Sequence, residues 1–309
     1  VASPSFTAPG ILLVDKSPGL TSHDVVSRLR RILSTRRVGH AGTLDPMATG
    51  LLVMGINGAT RLLTFFVGLD KTYTATIRLG ESTTTDDAEG ETLGRAPSEQ
   101  LARVADTDIE SAVATLTGEI MQVPSSVSAI KVGGKRAYAR VREGETVALE
   151  PRPVTVSRFD ITGIHRTADG IDVDAVVDCS SGTYIRALAR DLGFRLGVGG
   201  HLTTLRRTRV GPFDIADALV LDDTLTADEA TSLTSARLLE PADAAGRIFP
   251  RWQLDVDEDA HLRHGRAAQL TAPGEGRFAA ISTEGRLRGL VDARAERVRI
   301  LFNMSQESP

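Results

Sequence analysis

Apolar positions along the chain switch between two periods. Gly10 to Val14 is an unbroken apolar run, which predicts a short strand buried on both faces. Val25, Val26, Leu29, Ile32 and Leu33 then recur at helical spacing, which turns Arg28, Arg30 and Arg31 outward, and Ser22 stands where an N-cap is needed. Gly50 to Ile56 reads as another apolar strand and Thr60 to Val67 as a short helix. Over Lys71 to Leu79 the period becomes two, with Tyr73, Ala75, Ile77 and Leu79 on one face. Ile109 to Leu116 predicts a helical turn or two. Val154 to Ile164 and Ile171 to Cys179 predict strands joined by the turn Ala168-Asp169-Gly170. Thr183 to Leu196 carries Ile185, Leu188, Ala189 and Leu192 along one helical side, and His201 to Val210 is a strand bearing arginines.

Segments without either period separate these elements. Gly39-His40-Ala41-Gly42-Thr43-Leu44-Asp45-Pro46 is expected to be neither helix nor regular strand but a glycine-punctuated loop, in which Pro46 biases Asp45 toward extended backbone. Residues 81–98 are acidic and rich in turn formers, hence a loop. Ser125 to Val132, Gly133-Gly134 and a basic helix after them form an excursion from the core. Residues 217–247 hold two short helices at most. From Ile248 onward short alternating segments return (Trp252 to Val256, Arg277 to Ile281, Arg286 to Val291, Val298 to Phe302) and predict a small all-β unit.

Length and charge narrow the function. A chain of 309 residues holds about two domains and buries an ample core without metal or disulfide. The single cysteine, Cys179, excludes an intramolecular disulfide and a Cys-rich zinc ribbon, and as the end of an apolar strand it reads as a buried thiol. No apolar run approaches the roughly 18 residues of a membrane span, and Val1-Ala2-Ser3-Pro4 does not begin a signal peptide, so the expected address is the cytoplasm. A net charge of -4 argues against a nucleic-acid partner, but its distribution argues the other way. Basic residues cluster at Arg28 to Arg37, Lys131 to Arg142 and Arg206 to Arg209, while acids gather at Asp86-Asp87-Ala88-Glu89 and Asp222-Asp223. Dinucleotide, P-loop and nucleophile-elbow motifs are absent, and His261 and His264 lack further ligands nearby in sequence. Asp45, in a stiff loop between a basic helix and an apolar strand, is the acid that stands out.

Gly39-His40-Ala41-Gly42-Thr43-Leu44-Asp45-Pro46-Met47-Ala48-Thr49-Gly50 resembles the signature G-H-x-G-x-L-D-P-x-A-x-G of the bacterial tRNA pseudouridine 55 synthases, the TruB family. Further segments resemble that family's motifs in order: Leu13-Val14-Asp15-Lys16 with Gly19-Leu20-Thr21-Ser22; Lys71-Thr72-Tyr73 with Arg78-Leu79-Gly80; Gln122 to Lys131 with Gly134 to Tyr138; Cys179 to Arg186 with Asp191-Leu192-Gly193; and Leu205-Arg206-Arg207. The likeness runs from Gly10 to Phe213. It departs at Asp15-Lys16-Ser17-Pro18-Gly19, usually Asp-Lys-Pro-x-Gly, and at Pro124-Ser125, usually Pro-Pro; both alter loop stiffness and not a reacting group.

The resemblance implies an α/β fold: a mixed, largely antiparallel sheet flanked by helices with a catalytic cleft across its middle over residues 10–247. An RNA-gripping insertion would span about 122–145, and a small PUA-like barrel that binds RNA would span 248–305. It implies isomerisation of uridine 55 in the T-arm of tRNA with neither cofactor nor metal, by a monomer without guide RNA. Asp45 would be the catalytic carboxylate, Arg186 its cationic partner, and Tyr73 would stack on the uracil and relay the C5 proton. His40 would fill the gap left by the flipped base. Asp87 would order the pocket, and Tyr184 and Leu205 would shape it. Lys131, Lys135, Arg136, Arg206 and Arg207 would contact phosphates. Two other readings stay open at this point: an RNA-binding or tRNA-folding protein with secondary catalysis, and a guide-RNA-dependent relative.

Overall fold

The computed structural model describes residues 6–125, 131–132, 135–136, 149–221, 227–295 and 297–304. Its contacts divide into two units. One is Val1–Leu44, Leu51–Val67 and Gly211–Pro309; the other is Asp45–Gly50 and Gly68–Val210.

The first unit begins with β1 (Gly10–Lys16), whose apolar run is buried as expected, and α1 (Ser22–Ile32). Val25, Val26 and Leu29 of the helix pack with Leu12, Val14, Leu52, Met54 and Ile56. The cap is Thr21 and not Ser22: the Thr21 hydroxyl accepts from the Asp24 amide at 3.1 Å, and the Asp24 carboxylate accepts from the Thr21 amide at 2.8 Å. Ser22 is buried and brackets Leu44 instead, donating to its carbonyl (3.1 Å) and accepting from its amide (2.8 Å). This holds the backbone one residue before Asp45. The glycine-rich segment opens as a strand, β2 (Val38–Ala41), correcting the loop expected there. It pairs antiparallel with β3 (Thr49–Ile56) in the register Gly39↔Gly55 and His40↔Met54. The two glycines make room for the Leu63 side chain, which lies 3.2 and 2.9 Å from where their Cβ atoms would be, so here they serve packing and not a turn. A 3-10 turn (Asn57–Leu62) and α2 (Leu63–Phe66) follow.

The second unit contains β4 (Lys71–Leu79), β5 (Glu81–Thr83), β6 (Thr92–Arg95), α3 (Ser98–Arg103), α4 (Asp106–Ala114) and β7 (Gly118–Gln122). After the short antiparallel pair β8 (Lys131–Val132) and β9 (Lys135–Arg136) come β10 (Arg152–Thr167), β11 (Gly170–Cys179), α5 (Ile185–Arg195) and β12 (Gly200–Val210). The strands run in the order β12-β4-β11-β10-β7, each pair antiparallel, and Thr49–Gly50 lies parallel to β12. The sheet is therefore mixed and largely antiparallel. Its alternation is as the sequence predicts: Tyr73, Ala75, Ile77 and Leu79 face inward opposite Val177, Ala175, Val173 and Ile171. The opposite face carries a polar ladder, with Thr72 bonded to Asp178, Thr76 to Asp174 (2.7 Å) and Arg78 paired with Asp172 (2.8 Å). Residues 81–98 are not all loop: β5 and β6 form a hairpin, closed by Glu81 with Thr92 and Arg95. Lys135 and Arg136 lie in a strand where a basic helix was expected; residues 126–130, 133–134 and 137–145 of the proposed insertion lie outside the described residues.

Gly50 ends the Asp45 segment with φ +101°, and a Cβ there would sit 2.2 Å from the Arg207 carbonyl oxygen. Gly50→Ala is thus expected to cost about 1–3 kcal/mol from the backbone conformation alone, with a further penalty from the clash. Gly68→Ala, where a Cβ meets open space, should stay within about 0.5 kcal/mol. Urea unfolding of the two variants checks this; equal midpoints would show that the close approach at Gly50 is not real.

The remainder of the first unit holds β13 (Phe213–Asp214), β14 (Leu219–Val220, parallel to β1) and two helices, α6 (Ala227–Arg237) and α7 (Pro241–Gly246). A four-stranded sheet follows: β15 (Arg251–Gln253), β16 (Gly276–Ile281), β17 (Leu287–Arg294) and β18 (Arg297–Asn303), in that order, around Trp252, Leu254, Leu262, Phe278 and Val291. It departs from the all-β expectation in containing α8 (Val256–Arg263), where a strand was expected to run on to Val256. Asp255 and Glu258 cap that helix reciprocally at 2.7 and 3.0 Å, and this local device prevails over the apolar alternation. Among the described residues the sheet is open, β15 and β18 being its edges and not closing a barrel. Among the described residues no helix is long and apolar enough to cross a membrane.

Candidate active site

Pro46 follows Asp45, and the turn closes with the Ala48 amide donating to the Asp45 carbonyl at 3.1 Å. The Asp45 side chain is 39% exposed, whereas that of Arg186, near the start of α5, is 6% exposed. Arg186 Nε meets Asp45 Oδ2 at 3.0 Å, and Nη1 lies 3.4 Å from Asp87 Oδ2. Nη1 also donates to the Thr85 carbonyl (2.9 Å) and the Ser125 hydroxyl (3.4 Å). One buried guanidinium therefore bridges a reachable carboxylate and a buried one, the geometry that lets an arginine stay charged out of water.

Neighbouring residues, absent from the sequence-based set, fix this arrangement. Asp87 is held by the Thr85 hydroxyl and the Glu89 amide (3.0 Å). Asp86, at φ +60°, accepts from the Leu202 amide through its carbonyl (3.0 Å) and pairs with Arg190 at 3.3 Å. Burial pushes the Asp86 carboxyl up, and the Arg190 charge opposes that rise. Arg190 also donates to the Val123 carbonyl (2.7 Å), and the Gln122 amide group brackets the Tyr184 backbone at 2.9 and 3.1 Å. Two adjacent acids thus meet two arginines one helical turn apart, a match of Asp86-Asp87 to Arg186 and Arg190 that was present in the sequence.

Tyr73 is buried on β4, opposite Arg207 of β12 and Val177 of β11. Burial raises its phenol pKa, a hydrogen bond and charge from Arg207 pull it back, and the Asp45 carboxylate adds to the rise. Leu205 is buried opposite Ala75, and Tyr184 is half-buried. Arg206 is half-buried, 3.4 Å from the Thr49 hydroxyl. Arg207 departs from the phosphate-contact expectation. It is 1% exposed, because it shares the inward parity of Leu205. The structure thus gathers Asp45, Tyr73, Arg186, Asp87 and Arg207 in one unit. His40 lies in the other unit, half-buried on β2. The side chains of Lys131, Lys135 and Arg136 lie outside the described residues.

Lys71 shares the inward face and donates to the Leu69 carbonyl at 2.6 Å. Burial, then the Arg207 charge, lower its pKa from 10.5 to about 8. Cys179, its cross-strand partner, is raised by burial from 9.0 to about 11. Between pH 8 and 10.5 the unfolded lysine holds a proton that the folded one has released, so stability rises with pH there. The cysteine acts oppositely, but only above pH 9.0. From pH 8 to 9 the wild type should therefore gain up to about 1 kcal/mol over Lys71→Met in urea unfolding; parallel pH curves would show that Lys71 is not desolvated.

An anchored, partly exposed carboxylate beside a buried tyrosine can act as nucleophile or base on a ring held between them. Among the described residues no group of three His, Cys, Asp or Glu side chains is placed to hold a metal ion. Residues 30–185 match the N-terminal domain of TruB family pseudouridylate synthases, and residues 186–245 match the tRNA pseudouridylate synthase B C-terminal domain. A protein of Leifsonia xyli subsp. xyli named tRNA pseudouridine synthase B is 54% identical over 297 residues, 95% of this chain and 96% of its own length. One of the same name from Arthrobacter sp. is 59% identical over 259 residues, covering 83% and 81%. Among solved structures, the archaeal box H/ACA sRNP Nop10-Cbf5 complex contains a chain similar at TM-score 0.68 and 25% identity, covering 96% of this chain and 86% of that one. By these matches the chain belongs to the TruB family of pseudouridylate synthases and is an isomerase.

Proposed function

We propose that this enzyme converts uridine 55 in the T-arm of tRNA to pseudouridine. The observation that carries the reading is the Asp45 carboxylate, held 3.0 Å from a buried arginine and within electrostatic reach of a buried tyrosine. The reaction detaches uracil from C1′, turns it and rejoins it through C5. No atom or electron is added, so the residues themselves suffice as reagents. The Asp45 carboxylate can attack C1′ or C6, or take a sugar proton to start elimination, and Arg186 holds it in place at 3.0 Å. Tyr73 covers the uracil face, in a cleft over the middle of the sheet at β4 and β12.

The uridine is stacked inside its loop and must be flipped out at a cost of a few kcal/mol, and His40 fills the space it leaves. Asp87 orders the pocket through Arg186, and Tyr184 and Leu205 shape its walls. Lys131, Lys135, Arg136 and Arg206 contact phosphates. Residues 10–247 form the catalytic domain and 248–305 a PUA-like module that adds affinity for the RNA. The enzyme works in the cytoplasm as a monomer, without guide RNA. Tritium release from C5-labelled uridine in unmodified tRNA tests the reading. We expect release at position 55 alone, from protein and RNA only and at equal rates with and without EDTA. A requirement for a second RNA or for a metal would refute it.

A further inference from the structure

Arg207 is among the largest fully buried side chains of the protein, on a strand where arginines are expected to face RNA. Its backbone pairs with Gly50, five residues after Asp45, and so closely that the Gly50 position has no space for a Cβ. Its other neighbour across the sheet is Tyr73. We propose that Arg207 is a positioning residue that couples the two catalytic elements, bracing the Asp45 segment through its backbone and orienting the Tyr73 hydroxyl through its guanidinium. This rests on the reading that Tyr73 acts on the uracil.

The chemistry of the donor sets the orientation. A guanidinium only donates, so the phenol oxygen must accept from it. The Tyr73 O–H is then left to donate elsewhere, with the Asp45 carboxylate within electrostatic reach. When the phenol passes on a proton, the charge on its oxygen grows in a buried position, and a fixed cation stabilises that charge without reorganising. Burial alone would oppose the proton transfer, and the Arg207 hydrogen bond and charge are the contributions that offset it. Lys71, on the same face, is a second buried cation within reach of Arg207, so the strand floor beneath Tyr73 is positively charged.

The test is single-turnover tritium release from C5-labelled tRNA by Arg207→Gln, Arg207→Lys, Tyr73→Phe and the double variants, with tRNA affinity measured alongside. Arg207→Gln should slow the chemical step on the order of 10²-fold, with the Kd within about two-fold, and Arg207→Lys should recover part of the loss. In the Tyr73→Phe background the Arg207 change should cost little more, because its route of action is already gone. Losses that multiply, or a weakened Kd with a flatter salt dependence, would overturn the proposal; the second outcome would return Arg207 to phosphate binding. If Arg207→Gln does not fold, the Lys variant carries the same cycle. The ¹³Cζ resonance of Tyr73, assigned with Tyr73→Phe, adds a readout that does not depend on turnover. It should move in both Arg207 variants and not in Arg206→Gln, and an unmoved resonance sinks the contact. A resonance that moves as expected in the Arg207 variants, with a wild-type chain that releases no tritium, would instead refute the proposed reaction, and with it the catalytic part of this role.

Discussion

Asp45→Asn is expected to stay folded, to bind tRNA within a few-fold of wild type, and to lose turnover on the order of 10⁴-fold. The fold survives because Arg186 keeps its contacts with Asp87, Thr85 and Ser125, so the buried guanidinium is not left without acceptors. At 39% exposure the Asp45 side chain is also partly solvated, which limits the change in stability to about 1 kcal/mol. Binding survives because a neutral isostere removes no phosphate contact. What disappears is the carboxylate oxygen that begins the reaction in the proposed mechanism. Tritium release and filter binding on the same preparation separate the two effects, and turnover within tenfold of wild type would move the chemistry away from this residue.

Removing the other partner should give the opposite balance. Arg186→Met leaves Asp87, with a side chain only 4% exposed, without its cation in the interior. Breaking a buried pair from one side costs about 3–5 kcal/mol, so the main loss should appear in urea unfolding and not only in turnover. The same change withdraws a donor from the Thr85 carbonyl and leaves the Asp86–Arg190 pair to hold the 84–87 segment to α5. Adding Asp87→Asn should restore a substantial part of the stability, since the stranded charge is then gone, while activity stays absent because Asp45 still lacks its partner. If the double variant is no more stable than Arg186→Met alone, the cost lies in packing and the ion pair is incidental.

Much of the frame beneath this site was legible in the sequence, because a sheet with one buried face writes its parity into the chain. Tyr73, Ala75, Ile77 and Leu79 on β4, the apolar run of β1 and the apolar side of α5 stand where their spacing puts them. Asp45, Tyr73 and Arg186 were named from their motifs and Asp87 from the loop after the tyrosine strand, and the structure brings them into one unit. What escaped were features decided by a single contact against the local trend. Ser22 looked like a cap until the Thr21–Asp24 box placed the helix start one residue earlier. Gly39 looked like loop punctuation because the Leu63 side chain it accommodates is distant from it in sequence. Arg207 was read by its charge, although its parity with Leu205 already pointed inward. The Thr85 carbonyl and the Ser125 hydroxyl that Arg186 also engages could not be assigned to it without the fold, since they come from separate stretches of chain.

The polar ladder between β4 and β11 has a consequence for assembly. Tyr73 reaches the site only if the two strands join in one phase, and a slip by a single residue would exchange every inward side chain for an outward one. Such a slip would drive Thr72, Thr74, Thr76 and Arg78 into the interior and set Tyr73, Ala75 and Ile77 in water. It would also tear Asp172, Asp174 and Asp178 from the hydroxyls and the guanidinium that satisfy them. Hydrophobic alternation alone penalises the error once; the ladder penalises it again, through three carboxylates that lose their partners together. The polar face of the sheet therefore acts as a proofreading device for the face that carries Tyr73.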